Sequence, residues 1–274
     1  MPLTFETTYF DDPPNPQRAL EIFVPETATP RPVAVYFVHG GGWLGGSRTG
    51  CHTLVWHLLQ DGYVCASVDY RLKGVTAWDQ VDDIRQGQRL LEQRLRSRGL
   101  PTQFVMHGGS AGAHLVLLDA LSRPADLDIT LPVGLSVTSA AVTFEPWPDI
   151  FPHVWENMQI IAGKPFAEDP QRYRELSPIH HVSDRSPATF FLDAGNEHMF
   201  PHDLNEAFAE KMRQHGRPVE RKVYANGEHG FFYSVERNVQ KQAMADWRRF
   251  LDDCCKRAAQ SATSTPSSTG CQHS

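Results

Sequence analysis

Apolar positions along the chain repeat with two different periods, and the switch between them marks the elements. Leu3 to Tyr9 and Ala19 to Val24 read as two short strands separated by Asp11-Asp12-Pro13-Pro14-Asn15-Pro16, whose prolines and acids compel a turn. Val33-Ala34-Val35-Tyr36-Phe37-Val38 is apolar without alternation, the pattern of a strand covered on both faces. Helical spacing then sets in over Thr49 to Asp61 through Leu54, Trp56, Leu58 and Leu59, and Asp61-Gly62 closes it. Tyr63 to Val68 returns to a buried strand. Asp79 to Arg98 predicts a long amphipathic helix, with Val81, Ile84, Leu90, Leu91 and Leu95 on one side and Gly99 as its stop. Strands at Phe104–Met106, Val133–Val137, Ala188–Leu192 and Val219–Tyr224 alternate with helices at Ser110–Leu121, Asp203–His215 and Val235–Lys256.

Strand and helix thus alternate from Val33 onward, after an antiparallel start. That order predicts an α/β fold with a mostly parallel twisted sheet and helices on both faces. Ligands of such sheets bind beyond the carboxyl ends of strands, and glycine-rich stretches follow two of those ends, after Val38 and after Met106. One stretch, about 140–187, interrupts the alternation with Pro146, Trp147, Pro148, Phe151, Pro152, Trp155, Met158, Ile160, Ile161 and Phe166. So many aromatics are rarely left in water, so the stretch is expected to be an inserted cap of short helices within a single domain spanning 1–257. The Ser/Thr-rich remainder, 258–274, is expected to be disordered.

Composition narrows the function classes. With 41% hydrophobic and 21% charged residues and a net charge of −6, the 274-residue chain has neither the basic excess of a nucleic-acid binder nor an apolar run long enough to span a membrane. The arginines between Arg85 and Arg98 interleave with Gln88, Glu92 and Gln93 and are expected to form a solvated helix face. No basic and apolar leader opens the sequence, so a cytoplasmic setting is expected. Five cysteines without Cys-x-x-Cys spacing point to neither a disulfide framework nor a zinc site. Cys65 reads as a buried small apolar residue, and Cys254-Cys255, near the end of the last helix, as exposed thiols.

The chemistry gathers at Gly108-Gly109-Ser110-Ala111-Gly112. Here an apolar strand stops, one serine follows, and a helix begins. A hydroxyl on such a strand-to-helix turn projects from the sheet end, with a helix N-terminus behind it to favour negative charge. A serine is a poor nucleophile unless a base takes its proton. Among 13 histidines, His229 is placed for this, lying between glycines in Asn226-Gly227-Glu228-His229-Gly230 after the last strand. His114 is expected to pack beneath the turn, and His180 and His181 to be structural. The orienting carboxylate should follow Ala188–Leu192. Glu197 leads, being mid-loop; Asp193 reads as an anchor at the strand end and Asp203 as a cap of the next helix. His39-Gly40-Gly41-Gly42-Trp43 supplies backbone N–H donors for an oxyanion, and Ala111, directly after the serine, supplies another.

Together, His39-Gly40-Gly41-Gly42-Trp43, Val68-Asp69-Tyr70-Arg71-Leu72, Gly108-Gly109-Ser110-Ala111-Gly112, Ser177-Pro178-Ile179 and His229-Gly230-Phe231 resemble the α/β-hydrolase serine esterases of the hormone-sensitive-lipase-like and carbohydrate-esterase group. The resemblance implies a Ser110–Glu197–His229 triad with Gly41, Gly42 and Ala111 as oxyanion donors, and an ester hydrolase needing no cofactor. The chain departs from the group's pattern in its Glu where Asp is usual, and in Lys73-Gly74-Val75 where Ala-Pro-Glu is usual. Its short segment before His39 points toward the smaller esterases, resembling acetyl-xylan and feruloyl esterases and kynurenine formamidase. Trp43, with Trp147 and Trp155 of the inserted segment, is expected to wall a pocket for small acyl groups or an aromatic acid. Two rivals are an amidase, such as an arylformamidase, on the same residues, and a non-catalytic binding protein on a hydrolase scaffold.

Overall fold

The computed structural model describes residues 4–263 apart from 12 and 28. Its strands are β1 (Thr4–Tyr9), β2 (Ala19–Val24), β3 (Val33–Val38), β4 (Cys65–Val68), β5 (Gln103–Gly109), β6 (Gly134–Thr138), β7 (Ala188–Asn196) and β8 (Val219–Glu228). They form one sheet in the order β1-β2-β4-β3-β5-β6-β7-β8. β1 pairs antiparallel with β2, β2 antiparallel with β4, and every later pair is parallel. The helices are α1 (His52–Gln60), α2 (Ala77–Ser97), α3 (Ala111–Leu121), α4 (Pro152–Ala162), α5 (Pro170–Glu175), α6 (His202–Gln214) and α7 (Asn238–Thr263).

The unbroken apolar run of β3 is explained by what lies on each side. Ala34, Tyr36 and Val38 join a core with α2 and α3, while Val33, Val35 and Phe37 join a second core with α1 and α7. Both sets of alternating side chains are buried, so neither can be polar. β3 and β5 lie side by side with Val38 opposite Gly108. Their carboxyl ends, and the two glycine-rich segments that follow, therefore come out of the sheet together.

Several boundaries move for local reasons. α2 begins at Ala77 rather than Asp79 because Thr76 caps it: the Asp79 carboxylate accepts the Thr76 N–H at 2.7 Å, and the Thr76 hydroxyl accepts the Asp79 N–H. Arg89, Gln93, Arg94, Arg96 and Arg98 are exposed, as expected of a solvated face, but Gln88 and Glu92 are not part of it. Both side chains are buried; Gln88 donates to Glu92 and to the Thr130 carbonyl, and the Thr130 N–H donates to Glu92 at 2.8 Å. Arg85 and Arg123 both pair with buried Asp119. Charges survive burial here because each finds a partner. α7 continues through residue 263, so residues 258–263 of the expected tail are helical and 264–274 lie outside the described residues. Cys254 and Cys255 are buried, not exposed, because they lie on the face of α7 turned to the sheet. Burial raises the thiol pKa of both, Cys254 to about 11.

The stretch from 140 to 187 carries α4, α5 and a single 3-10 turn at Pro178–His181. Its aromatics pack on one another: Trp155 lies 5.9 Å from Phe166 and 5.6 Å from Tyr173, which is fully buried. Val154, Met158 and Ile161 on one face of α4 tie the segment to the core below. Among the described residues no helix is long and apolar enough to cross a membrane.

Candidate active site

β5 ends at Gly109, and Ser110 turns the chain into α3 with φ 53° and ψ −122°. Left-handed φ is uncommon for a residue with a Cβ, and persists only where the surroundings hold it. Here the Ser110 N–H donates to the Thr138 carbonyl at the end of β6 at 2.9 Å. Gly112 allows the first turn of α3 to press on the end of β3, because a Cβ there would overlap the carbonyl oxygens of Val38 and His39. That contact sets Ala111, at the helix start with its N–H pointing out of the helix, beside the 39–43 loop.

The loop itself needs glycine. Gly41 has φ 124° and Gly42 φ 59°, and both line one cavity with Ser110 and His229. Behind them the loop is tied down at several points. The His39 carbonyl accepts the Tyr70 hydroxyl at 2.8 Å, and the Trp43 carbonyl accepts the Gln80 amide at 2.8 Å. The His39 ring lies stacked on Tyr70. Trp43 is buried, and its indole N–H donates to His114 Nδ1 at 3.1 Å. His114 Nε2–H must therefore donate to the Leu176 carbonyl, 2.8 Å away. Burial lowers the His114 pKa to about 4, so at neutral pH it is an uncharged strut under the turn.

The His229 side chain spans the other two groups. Its Nε2 is 3.0 Å from Ser110 Oγ, and its Nδ1 is 2.8 and 3.0 Å from the two Glu197 oxygens. Burial by itself would raise the Glu197 pKa, but hydrogen bonding and charge from His229 outweigh it. Together with the Met199 N–H and the Ser139 hydroxyl they hold the carboxyl at about 2. An ionised carboxylate can only accept, so His229 Nδ1 carries the proton and Nε2 presents a lone pair to the serine. This arrangement can take a proton from Ser110 Oγ and return it to another atom in the cavity.

Sheet register explains why Glu197 and not Asp193 meets the histidine. β7 and β8 pair regularly to Ala194 opposite Tyr224, then slip, so that Asn196 faces Glu228. The residues after that pair are Glu197 and His229. Gly195 permits the slip, because a Cβ there would come within 2.8 Å of β8 backbone atoms. Asp193 lies within the regular part and is buried, accepting from Arg221 at 2.7 Å and from Asn205 at 3.0 Å. It joins β7 to β8 and α6. Asp203 lies in the first turn of α6, but Pro201, not Asp203, occupies the cap position.

The cavity has a volume of about 450 Å³, and its far wall differs from the sequence expectation. Trp43 contributes to the lining, but Trp147 and Trp155 do not. Trp147 is buried behind Phe200, with ring centroids 6.0 Å apart, and Trp155 belongs to the aromatic cluster of the inserted segment. Large rings in a short insertion are consumed in making its own core. The wall is instead His153, Val154 and Asn157 of α4, Met199 and Phe200 after Glu197, and Tyr233. The i, i+4 spacing of His153 and Asn157 was the available signal for a shared helix face. No sequence pattern marks Ser139. It sits after β6 with φ 50°, is buried, accepts the Gly230 N–H at 3.3 Å and bonds Glu197, so it braces the Glu197 and His229 loops together.

A serine on the turn between β5 and α3, a histidine after the last strand and a glutamate after the one before it, on this strand order, mark an α/β-hydrolase fold. The chain belongs to the BD-FAE family, whose sequence model matches residues 20–212; the dienelactone hydrolase family model matches residues 174–254. Among curated relatives it is 27% identical over 194 residues to the probable carboxylic ester hydrolase LipM of Mycobacterium tuberculosis, covering 66% of this chain and 44% of that one. It is 24% identical over 237 residues to an acetylxylan esterase of Xylanibacter ruminicola, covering 84% and 47%. The chain thus spans about half the length of the curated relatives it matches. Esterase B of Lactobacillus rhamnosis superposes with a TM-score of 0.79 at 20% identity over 96% of this chain and 89% of that one. The butyrate-bound esterase 2 of Thermogutta terrifontis does so with a TM-score of 0.69 at 24% identity, over 86% and 88%.

Proposed function

We propose that this protein is a serine carboxylester hydrolase that works through an acyl-enzyme, with Ser110 as nucleophile, His229 as general base and acid, and Glu197 as the group that orients it. The observation that carries the reading is the unbroken hydrogen-bond chain Glu197–His229–Ser110 opening into a cavity lined by Gly41 and Gly42. A scaffold that only bound a ligand would have no use for a strained serine held 3.0 Å from an oriented imidazole. In the reaction, Ser110 Oγ bonds to the ester carbonyl carbon as its proton passes to His229 Nε2. The backbone N–H groups of Gly41, Gly42 and Ala111 hold the oxyanion. Collapse expels the alcohol, which takes the proton from His229. Water, deprotonated by His229, then attacks the acyl-enzyme, and the carboxylic acid leaves as Ser110 Oγ takes that proton back from His229.

The substrate is a small-molecule ester with a short or compact acyl part, including acids of carbohydrate esters. A cavity of about 450 Å³ bounded by Val154, Met199 and Phe200 supports this size limit, and butyrate bound to a protein of similar fold agrees with it. His153 and Asn157 give the cap side polar groups suited to a hydroxylated alcohol. The four thiols among the described residues, at Cys51, Cys65, Cys254 and Cys255, are buried and unpaired, which fits a reducing cytoplasmic setting. The test is a panel of p-nitrophenyl acetate, butyrate and octanoate with acetylated xylo-oligosaccharide, methyl ferulate and an N-formyl anilide. Acetate and butyrate are expected to exceed octanoate in kcat/KM by at least about tenfold, since a chain that overfills a packed pocket forfeits contacts worth more than about 1 kcal/mol. Faster turnover of the formyl amide than of every ester would instead make the protein an amidase.

The bracing role of Ser139 yields a smaller effect. Ser139→Ala removes one hydrogen bond to Glu197 and is expected to lower kcat about 5- to 10-fold, with KM unchanged. Steady-state kinetics on p-nitrophenyl butyrate, with Tm measured alongside, checks it; unchanged kcat would leave Ser139 with no part in holding the acid.

A further inference from the structure

Tyr233 ends the short 3-10 turn Phe231–Tyr233 that follows the base, and it lines the cavity with Ser110, Gly41 and Gly42. Its hydroxyl is lodged in the seam between two loops. A Cβ on Gly40 would overlap the phenol oxygen, and one on Gly109 would lie 2.5 Å from it, closer than real side chains approach. Glycine at both positions is what admits the hydroxyl. Gly40 directly precedes Gly41, and Gly109 directly precedes Ser110. The phenol oxygen therefore stands where the chain carrying the oxyanion donors meets the chain carrying the nucleophile.

No hydrogen-bond partner is found for this hydroxyl among the described residues. The neighbouring Tyr70 hydroxyl is committed elsewhere, to the His39 carbonyl. Tyr233 is half-buried at the cavity wall, so an O–H without an acceptor in the protein is left for a ligand or water to satisfy. A residue whose task was only to fill the seam would be phenylalanine, which has the same ring and no donor to satisfy. Burial, with the nearby Cys51 thiol, pushes the Tyr233 pKa well above the usual tyrosine value, so the group keeps its proton and remains a donor.

Resting on the esterase reading, we infer that the Tyr233 hydroxyl is a fourth hydrogen-bond donor to the ester carbonyl oxygen as it becomes an oxyanion, beside the backbone N–H groups of Gly41, Gly42 and Ala111. No proton changes hands in this role; the O–H bond stays intact while the charge on the substrate oxygen forms and collapses.

Tyr233→Phe deletes the oxygen and keeps the ring. Sites are first counted by titrating Ser110 with an organophosphonate, so that kcat refers to competent enzyme. The expected result is a fall of about 100-fold in kcat on p-nitrophenyl acetate, with KM and Tm close to wild type and a parallel fall in the phosphonylation rate. A variant with wild-type kcat would overturn the inference and leave Tyr233 as packing, and so would a raised KM at unchanged kcat, which reports a ground-state contact. Failure of the underlying reading looks different: the wild-type protein would neither turn over the ester nor be labelled at Ser110, and both claims would fall together.

Discussion

Ser110→Ala and His229→Ala are each expected to lower kcat on p-nitrophenyl acetate by at least about 10⁴-fold, and the double variant by little more than either alone. Nucleophile and base act as one unit, so removing the second after the first has little left to cost. The residual rate comes from the oxyanion donors and from binding, which neither change touches. Ser110→Ala leaves the backbone with the same strain at φ 53°, since alanine also carries a Cβ, and it removes one hydroxyl from the cavity wall. Tm is therefore expected to stay within a degree or two of wild type. The measurement is single-turnover and steady-state hydrolysis on purified protein of matched Tm. Retention of most of the activity by either variant would remove the triad assignment and with it the acyl-enzyme.

Glu197→Gln and Asp193→Asn are expected to separate activity from stability in opposite directions. Glutamine at 197 is nearly isosteric but offers an N–H₂ as well as an oxygen, so it can hold His229 in the wrong tautomer. The expected loss is about 10⁴-fold in kcat, the size seen when an orienting carboxylate becomes an amide. Its stability follows pH in a defined sense. The folded-state pKa of about 2 lies below the unfolded value of about 4.3. The ionised carboxylate of wild type thus adds stability that is complete above about pH 5 and is lost as pH falls toward 2, a component that Glu197→Gln lacks. Asp193→Asn touches none of the cavity but breaks the buried pair with Arg221, expected to cost about 3–5 kcal/mol. Activity per folded molecule should stay near wild type. Urea titrations and kcat on both variants check the pair, and a larger kcat loss in Asp193→Asn, at equal folding, would reverse the assignment.

The two carboxylates also mark the boundary of what sequence patterning can resolve. Asp193 and Glu197 lie four residues apart after the same apolar run, and loop position favoured Glu197 on the ground that a strand-end acid tends to anchor. What brings it to the histidine is the slip between β7 and β8, which sets Asn196 against Glu228. Strand pairing across a loop excursion leaves no periodicity to read. The stretch from 140 to 187 illustrates a different limit. Its aromatic content foretold a packed segment, but Trp147 and Trp155 went into the packing, while the smaller Val154, Asn157 and Met199 reached the cavity. Hydrophobicity says that a side chain will be buried and not which surface it will be buried against. Gln88 and Glu92 failed in the reverse sense. Polar residues on a helix read as solvated unless their partners, here Arg123 and the Thr130 backbone, are already known.

The sequence by itself determined the alternation of strands and helices, the two-sided burial of β3, the serine on its strand-to-helix turn, the glycine loop upstream and the histidine after the last strand. These are properties of short contiguous segments, governed by hydrophobic period, glycine's access to positive φ and the chemistry of one side chain at a time. Tertiary structure alone decided the matters that depend on distance between segments: which acid reaches His229, which residues bound the cavity, Ser139 behind the acid, and the Tyr233 hydroxyl in the seam made by Gly40 and Gly109. Each arises where chain ends from different strands converge, and convergence is set by sheet register and packing rather than by any local pattern.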